Sequence, residues 1–428
     1  MMVVPLGNIN PVKPVNGKDG NVATRTSIST QIAIIGGGPA GLLLSHLLRR
    51  SGIENVVLEL RDREYTIERV RAGVLEQDAV NLLTDAGLGD RLHHEGQRHD
   101  GIYLQYNGSR HHVSFRELVG RSVWVYGQQE VVRDLIDAHD EAGTPARYSV
   151  SDIELDNVAD GPATVRFTQD GEEFELTADF VAGADGAHGV CRPSIPAAEK
   201  TTYQREYPFG WLGILAHVQP STDELIYALH ERGFAMHSMR SDTVSRLYLQ
   251  VDPHDDITNW SDDRIWDELD LRLGTMGWTL ERGEIFDKSI TPMRSFVSDP
   301  MRFGNLFLVG DSAHIVPPTG AKGLNLAIAD ASYLHDGMVA WYRNGDASGL
   351  DEYSPRSVKR VWQIQHFSAW MTRMLHRFED STDAENPENP DYDYQVQLGQ
   401  LSQLCESPRG MSHLAEIYTG LPFLSHPH

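Results

Sequence analysis

The sequence has 428 residues, 40% of them hydrophobic and 23% charged, which is enough to bury two or three cores and is typical of a globular protein. Its 37 basic and 61 acidic side chains give a formal net charge of −24, which disfavours nucleic acid and anionic lipid as partners. No apolar run is long enough to span a bilayer, and the N-terminus lacks the features of a signal peptide. Two cysteines, Cys191 and Cys405, cannot build a disulfide framework, so we expect a cytoplasmic protein with no membrane partner.

The N-terminal part of the chain predicts a flexible tail followed by a βαβ unit. Residues 1–30 are rich in Asn, Pro, Gly, Ser and Thr and show no apolar period, which indicates a tail. The apolar run at 31–35 predicts a buried strand, residues 40–50 predict a helix, and residues 55–59 predict a second strand. This order is typical of a dinucleotide-binding α/β unit.

A glycine-rich segment joins the first strand to the helix and fits the pattern G-x-G-x-x-G. Gly36, Gly38 and Gly41 permit a tight turn against a pyrophosphate, and the helix N-terminus supplies free N–H groups. Glu59 ends the next strand, where an acid can accept hydrogen bonds from ribose hydroxyls. The alternative is a plain tight turn, and the motif alone does not separate FAD from NAD.

The middle and the end of the chain have different periodicities. Alternating residues at 102–106, 164–168 and 246–251 predict antiparallel strands with one solvated face. Helical periodicity appears at 260–273 and dominates at 324–343 and 353–376. We therefore expect a mixed α/β fold with an antiparallel sheet domain and a helical C-terminal region.

Acidic residues follow two further predicted strands. Asp185 and Gly186 come after the strand that starts near Asp179, and Asp311 follows the buried run at 305–309. Ligands of parallel sheets bind at such carboxyl ends. No paired Cys or Cys/His spacing is present, and neither His188 nor His314 has a partner at ligand spacing, so no metal is expected.

Together, these three segments resemble those of the flavoprotein aromatic hydroxylases. The likeness runs from about residue 31 to 422 and is also carried by RAGVLEQ (71–77), VYGQ (125–128), YPFGWLG (207–213), IVPPTGAKGLN (315–325) and YTGLP (418–422). The resemblance implies a Rossmann-like FAD-binding domain over 31–200, completed by 300–345. It also implies a β-sheet substrate domain over 201–299 and a helical region over 346–428 that forms the interface of a homodimer.

The resemblance implies FAD as the cofactor. By that similarity Arg71 meets the pyrophosphate and Gln128 also touches the cofactor, while Arg246 and the backbone of Leu324 and Asn325 lie beside the isoalloxazine ring. The other expected FAD contacts are Gly36, Gly38, Gly41, Glu59, Asp185, Gly186 and Asp311.

The implied reaction adds one oxygen atom to 4-hydroxybenzoate through a flavin C4a-hydroperoxide, giving 3,4-dihydroxybenzoate from O2 and NAD(P)H. A phenolate reacts better than a phenol, so the site must bind a carboxylate and remove a phenolic proton. Ser238 and Arg240 lie two residues apart on a predicted strand, share a face and suit a carboxylate. Tyr248 matches a third carboxylate contact of the family.

The resemblance assigns the opposite end of the substrate to a proton chain. Tyr227 bonds the phenolic oxygen, Tyr418 bonds Tyr227, and His99, expected to titrate near neutrality, links the chain to solvent. Pro318 and Thr319 match backbone contacts around the ring, and Pro318 is counted with the catalytic residues. On pattern alone, a strand tyrosine is more often a packing residue, and an arginine near a serine more often lies on a solvated face. Only their joint occurrence favours the functional interpretation.

The electron donor is expected to be NADPH, with NADH possible. The candidate contacts are Arg61, Tyr65, Arg69, His188 and Arg294. Three acids near the first three residues, Asp62, Glu64 and Glu68, oppose a 2′-phosphate, so strict NADPH specificity is not predicted. For the residues after Glu59, an exposed charged helix is the alternative.

Other functions stay open within this interpretation. The substrate could be 3-hydroxybenzoate or 4-aminobenzoate, although a proton chain at the para position favours the 4-hydroxy compound. A flavoprotein oxidase or dehydrogenase and a non-catalytic FAD-binding protein are the alternatives outside the hydroxylases.

Overall fold

The computed structural model describes residues 25–69, 73–378 and 391–423, which form three sheets and twelve helices. The strands in chain order are β1 (Thr26–Ile35), β2 (Asn55–Leu58), β3 (Val74–Leu75), β4 (Gln97–His99), β5 (Gly101–Tyr106), β6 (Ser109–Ser114), β7 (Val123–Val125), β8 (Ser151–Asp156), β9 (Ala163–Gln169), β10 (Glu172–Gly183), β11 (Thr201–His217), β12 (Ile226–Ala228), β13 (Ala235–Ser241), β14 (Val244–Val251), β15 (Glu284–Asp299), β16 (Arg302–Phe303), β17 (Leu306–Leu308) and β18 (His314–Ile315). The helices are α1 (Pro39–Arg50), α2 (Arg63–Glu68), α3 (Gln77–Asp85), α4 (Gly89–Glu95), α5 (Phe115–Val119), α6 (Gln128–Glu141), α7 (Asp262–Leu273), α8 (Gly323–Asn344), α9 (Ser348–Asp351), α10 (Tyr353–Leu375), α11 (Tyr392–Glu406) and α12 (Pro408–Tyr418).

The first sheet has a parallel centre, in the order β17-β10-β1-β2. Residues 32–35 of β1 are fully buried and share one core with α1 and α8, which is why this strand is a continuous apolar run. The strands β8, β9 and β16 extend the sheet by antiparallel pairing. The predicted mixed α/β class with a βαβ unit is confirmed.

The predicted tail is too long by five residues. Strand β1 begins at Thr26, because residues 26–30 pair in parallel with 174–178 of β10. These residues are mostly solvated, so their sequence carries no apolar period that would reveal the pairing. The rest of the predicted tail, residues 1–24, lies outside the described part of the chain.

The second sheet contains eight strands in the order β18-β15-β11-β14-β13-β12-β5-β6. All neighbours are antiparallel except β12 and β5, which pair in parallel. One face of the sheet packs with α10, α11 and α12, and the other packs with α7. The helices predicted at 260–273, 324–343 and 353–376 match α7, α8 and α10 within two residues at each end.

The expected boundary of the first domain needs a correction. Strands β5 and β6, at 101–114, belong to the second sheet although the sequence placed them within residues 31–200. Their apolar residues Ile102 and Leu104 lie in the same core as Tyr227. A pairing between segments more than a hundred residues apart leaves no signal in the local periodicity.

Candidate active site

The glycine-rich turn lies where β1 ends and α1 begins. Gly36 has a φ of +111°, and a Cβ atom there would lie 2.3 Å from the carbonyl oxygen of Ala184. A Cβ at Gly41 would lie 2.0 Å from the Gly36 oxygen, whereas one at Gly38 would meet no atom within 4 Å. The turn is therefore tight on its inner side and open at Gly38, as a pyrophosphate cradle requires.

Glu59 lies beside this turn, as the sequence predicts. Its Oε2 accepts a hydrogen bond from the Gly37 amide at 2.5 Å, and its Oε1 accepts one from the Arg61 amide at 2.8 Å. The carboxylate is thus held at the end of β2, next to the N-terminus of α1.

The two other acidic segments lie at the same edge of the sheet, since β1, β10 and β17 run in parallel side by side. Asp185 is close enough to the turn that a Cβ at Gly36 would lie 2.9 Å from its amide nitrogen. Burial raises the pKa of the Asp185 carboxyl group, and its buried Oδ1 has no hydrogen-bond partner in the part of the chain that the structure describes. Gly186 has a φ of +74°. Asp311 is exposed in the 3-10 turn after β17.

An unpaired buried carboxylate oxygen beside an open glycine turn fits a ligand that carries hydroxyl groups and phosphates. The described residues at this edge therefore fit FAD. Gln128 begins α6, and a Cβ at Gly73 would lie 2.7 Å from its amide, so residue 73 and Gln128 are neighbours. Arg71 lies outside the described residues.

The predicted ring contacts Leu324 and Asn325 lie in the first turn of α8, after the turn at Pro318–Gly320. Asn325 is buried; its Nδ2 donates to the Val74 oxygen at 2.8 Å and its Oδ1 accepts from the Glu76 amide at 2.9 Å. Since its side chain is committed to the backbone of β3 and of the residue after it, a contact between Asn325 and a ligand would come from its backbone.

Tyr227 and Tyr418 meet in the core beneath the second sheet. Their hydroxyl oxygens lie 2.6 Å apart, and both side chains are buried. Burial raises the pKa of both phenols, so both stay protonated near neutrality. The predicted tyrosine pair is brought together.

The carboxylate candidates lie on the neighbouring strands. Tyr227 pairs with Met236, and Met236 pairs with Tyr248. Ser238, one alternate residue further along β13, pairs with Arg246. These side chains share one face because alternate strand residues do. The level of Tyr227 and Tyr248 and the level of Ser238 and Arg246 are two residues of strand apart. This separation is roughly 6.6 Å, on the order of the length of one substituted benzene ring.

Arg240 is the cation at the far end of this face. The residue as a whole is half-buried; among the described residues its Nε, which is buried, has no hydrogen-bond partner, and no carboxylate lies at ion-pair distance from the guanidinium. Burial lowers the pKa of its guanidinium, and the nearby Arg246 adds to that effect, while the Tyr248 side chain opposes it by hydrogen bonding. A half-buried cation with a buried Nε and no counter-ion among the described residues favours an anionic ligand.

The turn that carries Pro318 and Thr319 packs on α10. The hydroxyl of Thr372 donates to the Thr319 hydroxyl at 3.0 Å, and a Cβ at Gly320 would lie 2.8 Å from the Ser368 oxygen. Thr319 is buried whereas Pro318 is exposed, and the turn is held from the side of α10.

His99 does not fit its predicted role in this conformation. Its side chain is buried at the end of β4, and neither ring nitrogen has a hydrogen-bond partner among the described residues. Burial lowers its pKa to about 4, against the acids Asp223 and Asp100, which raise it. The expected titration near neutrality is therefore wrong, and the link from Tyr418 through His99 to solvent is not formed here.

The nicotinamide candidates fall on two parts of the surface. Arg61, Tyr65 and Arg69 lie in and beside α2, where the Arg61 guanidinium stacks 5.2 Å from the Tyr65 ring centre. Asp62 caps this helix by accepting from the Tyr65 amide at 2.7 Å. The exposed charged helix expected as the alternative is thus present. Its presence is compatible both with a contact to NAD(P)H and with a helix that binds no ligand.

His188 and Arg294 belong to the second group, with a residue that the sequence reasoning missed. Arg192 donates to the Ser312 and Ala187 oxygens at 2.9 and 2.6 Å. Burial lowers the pKa of its guanidinium, and the positive charge of Arg294 contributes, so the two cations are neighbours. The sequence feature that could have identified Arg192 is its position as a basic residue at the end of the segment that starts with Asp185.

Among the described residues, no group of three or more His, Cys, Asp or Glu side chains is arranged to hold a metal ion. The His314 imidazole is instead paired with Asp330 at 2.6 Å. In the same ranges, no helix is long and apolar enough to cross a membrane.

Comparison with known proteins gives a family. The model of the FAD binding domain family matches residues 29–368. The p-hydroxybenzoate hydroxylase of Acinetobacter baylyi is 47% identical over 399 residues, covering 93% of this chain and 96% of that protein. The 6-methylpretetramide 4-monooxygenase of Streptomyces rimosus is 26% identical, covering 81% and 84%.

Solved structures agree on the fold. The p-nitrophenol 4-monooxygenase of Pseudomonas putida has a TM-score of 0.77 at 18% identity, covering 92% of this chain and 99% of that chain. The anhydrotetracycline hydroxylase of Streptomyces rimosus has a TM-score of 0.72 at 19% identity, covering 94% and 77%.

Proposed function

This chain belongs to the FAD-dependent aromatic hydroxylases of the FAD binding domain family, and we propose that its substrate is 4-hydroxybenzoate. In the proposed reaction, 4-hydroxybenzoate, O2, NAD(P)H and one proton give 3,4-dihydroxybenzoate, NAD(P)⁺ and water. Bound FAD would take two electrons from the nicotinamide and transfer one oxygen atom of O2 to the ring carbon beside the hydroxyl group.

One observation carries the substrate assignment: Arg240 is a half-buried cation without a carboxylate partner in the described ranges, and it lies near Tyr248, whose strand level is shared by Tyr227 of the buried tyrosine pair. A benzoate carboxylate would supply the missing negative charge to Arg240, with Ser238 and Tyr248 as hydrogen-bond donors. A hydroxyl group para to that carboxylate would then reach Tyr227.

The tyrosines would stabilise the reactive form of the substrate. A phenol with a pKa near 10 must lose about 2 to 3 pKa units, which requires on the order of 3 to 4 kcal/mol. Since its own pKa is raised, Tyr227 stays protonated and donates a hydrogen bond to the phenolate rather than competing for its negative charge. The proton would leave along the Tyr227–Tyr418 contact.

The end of that path requires a change of conformation at His99. We propose that His99 accepts the proton only in a second conformation that admits water, because its ring nitrogens are buried and have no partner among the described residues. Buried imidazole nitrogens without partners are rare, which favours an alternative arrangement of this residue.

The cofactor roles are proposed from the same geometry. Gly36, Gly38, Gly41 and Glu59 would hold the ADP part of FAD, and Asp185, Gly186 and Asp311 would hold its middle. Arg71 and Gln128, with Arg246 and the backbone of Leu324 and Asn325, would contact the remainder, and Pro318 and Thr319 would line the substrate ring.

We propose NADPH as the donor, with NADH also used. Arg192 and Arg294 are neighbouring cations, with His188 four residues before Arg192 in the chain, and the cations Arg61 and Arg69 flank Tyr65 in sequence; a protein of net charge −24 needs such cations to attract an anion. The acids Asp62 and Glu64 beside Arg61 oppose a 2′-phosphate and so weaken the discrimination between NADPH and NADH. We also propose a cytoplasmic homodimer; the exposed Tyr392 and Val396 of α11 suit a contact between copies.

The test is to follow NADPH and NADH oxidation with 4-hydroxybenzoate, 3-hydroxybenzoate and 4-aminobenzoate, and to identify products made under ¹⁸O2. One labelled oxygen atom in 3,4-dihydroxybenzoate supports the proposal. If the enzyme instead prefers 3-hydroxybenzoate or 4-aminobenzoate, that compound replaces 4-hydroxybenzoate as the assigned substrate. Peroxide without hydroxylated product would indicate an oxidase. Light scattering of the purified protein measures the oligomeric state.

A further inference from the structure

Cationic side chains from distant parts of the chain hold the segment that carries Tyr418. We call residues 417–423 the C-terminal strap. The Lys322 ammonium donates to the carbonyl oxygens of Ile417 and Tyr418, both at 2.8 Å. Arg360 Nη1 donates to the oxygens of Leu421 and Pro422, both at 3.1 Å.

Further contacts hold the strap on its other side. The Arg121 guanidinium donates to the Gly420 oxygen and pairs with Asp78. The amide of Phe423 donates to Asp78 Oδ2 at 3.2 Å, and the Phe423 ring lies 5.0 Å from the Arg360 guanidinium. Five of the seven carbonyl groups of the strap thus have a charged donor.

One carboxylate lies under the strap and joins two of these cations. Glu76 accepts from Lys322 at 2.6 Å and from Arg360 at 3.4 Å, and all three side chains are about 2% exposed or less. A Cβ atom at Gly420 would lie 2.3 Å from Glu76 Oε2, so the strap crosses directly over the carboxylate. Three buried charges cost several kcal/mol each unless they are paired and hydrogen-bonded. Such a cluster is expensive as a packing element alone.

The strap fixes the position of a hydroxyl group that needs close placement. The Tyr418 ring stacks on Phe115 at 5.0 Å, and its hydroxyl lies 2.6 Å from that of Tyr227. A hydrogen bond between hydroxyls weakens steeply beyond about 3 Å, so a small shift of the strap would break the pair. The strap contacts act on the backbone of Tyr418 and on the residues just after it.

We propose that Arg360 is a positioning residue for hydroxylation, because its grip on Leu421 and Pro422 keeps Tyr418 in contact with Tyr227. This inference rests on the proposed function, in which the tyrosine pair stabilises the phenolate. Arg360 itself touches neither hydroxyl group. It is a better probe than Lys322, because Lys322 also lies in the turn expected beside the flavin, whereas Arg360 reaches the strap from α10.

The test compares Arg360→Gln with Arg373→Gln in the FAD-loaded enzyme. Arg373 is an exposed arginine on the same helix and serves as the matched control. Amide hydrogen exchange of residues 417–423 measures the hold on the strap, and we expect it to rise by about tenfold in Arg360→Gln from the loss of its hydrogen bonds. Absorbance titration measures the pH at which bound 4-hydroxybenzoate ionises, and product formed per NAD(P)H consumed measures coupling.

We expect Arg360→Gln to raise that ionisation pH by roughly one unit and to lower coupling about threefold or more, while the Kd for 4-hydroxybenzoate changes less than about threefold. Faster exchange with unchanged ionisation and coupling would overturn the positioning role, as would unchanged exchange. If Arg360→Gln does not fold, Arg360→Lys keeps the charge beside Glu76 with a single ammonium group. It should give the same direction of change, and wild-type values in all three measurements would then overturn the proposal. A wild-type enzyme that fails to hydroxylate 4-hydroxybenzoate overturns the proposed function instead, and the exchange data still decide whether Arg360 holds the strap.

Discussion

The hydroxyl oxygens of Tyr227 and Tyr418 lie 2.6 Å apart although 191 residues separate them in the sequence. Tyr227 is supplied by the short strand β12, and Tyr418 ends helix α12. Because both phenols are buried and have raised pKa values, the pair can pass a proton without either tyrosine becoming an anion at rest.

Removing the first hydroxyl group should separate electron transfer from hydroxylation. In Tyr227→Phe we expect FAD reduction by NAD(P)H to stay near the wild-type rate while hydroxylation falls by about 10²-fold, in the range of acid-base contributions. The electrons should then appear as hydrogen peroxide. Stopped-flow reduction and product analysis measure both quantities, with Tyr103→Phe, on the neighbouring strand β5, as the control. Full hydroxylation by Tyr227→Phe would remove this residue from the mechanism.

The carboxylate site predicts a selective loss of affinity. Arg240→Gln should weaken 4-hydroxybenzoate binding by about 2 to 5 kcal/mol if the substrate carboxylate pairs with the Arg240 guanidinium and buries it. Phenol has no carboxylate, so its affinity should change little between the two proteins. Equilibrium titration with both ligands provides the comparison, and equal losses for both would show that the substitution distorts the cavity rather than removing an ion pair.

Several site features could be predicted from the sequence because they depend on local order. The turn at Gly36, the acid Glu59 and the strand-end acids Asp185 and Asp311 each follow a buried strand, and parallel strands bring such ends together. The shared face of the residues around Ser238 follows from the two-residue period of a strand.

Other features depend on pairings that no local pattern records. The cluster of Glu76, Lys322 and Arg360 joins residues 246 and 284 positions apart, and the sequence reasoning missed it. His99 was assigned a pKa near neutrality because its residue type suggests one, whereas the value of about 4 comes from tertiary burial. The pairing of β5 with β12 moved a domain boundary for the same reason.

The open side of the glycine turn predicts that one methyl group blocks the cofactor and not the fold. An alanine Cβ at Gly38 would meet no protein atom within 4 Å, and the φ of −75° suits alanine. The Gly38→Ala apoprotein should therefore unfold within about 1 kcal/mol of wild type, while its FAD affinity should fall about tenfold or more through overlap with the pyrophosphate. Thermal unfolding and flavin fluorescence titration measure the two effects. Gly399→Ala, in open space on α11, is the control and should leave FAD affinity unchanged. Normal FAD affinity in Gly38→Ala would place the pyrophosphate elsewhere.

Stability should fall as the pH drops from about 6.5 towards 4, because several histidines are buried and have lowered pKa values, three of them strongly. Burial lowers the pKa of His99 and of His237 to about 4 and that of His376 to about 3, from 6.5 in each case. In this window the unfolded chain binds more protons than the folded chain. The free energy of unfolding therefore rises with pH there, by on the order of 1.4 kcal/mol per pH unit for each histidine.

His376 offers the cleanest test of this pH dependence. Its Nε2 accepts from the Trp211 indole at 2.7 Å and its Nδ1 lies 3.0 Å from the Thr372 oxygen, so protonation would also disrupt the contact with Trp211. His376→Gln should be less stable than wild type at pH 7, yet its unfolding free energy should depend less steeply on pH between about 6.5 and 5, by roughly one proton. That range lies above the titration of ordinary carboxyl groups. Denaturant unfolding across the range measures the slope, with the exposed His254→Gln as the control. A slope in His376→Gln equal to that of wild type would mean that His376 is not held neutral in the folded protein.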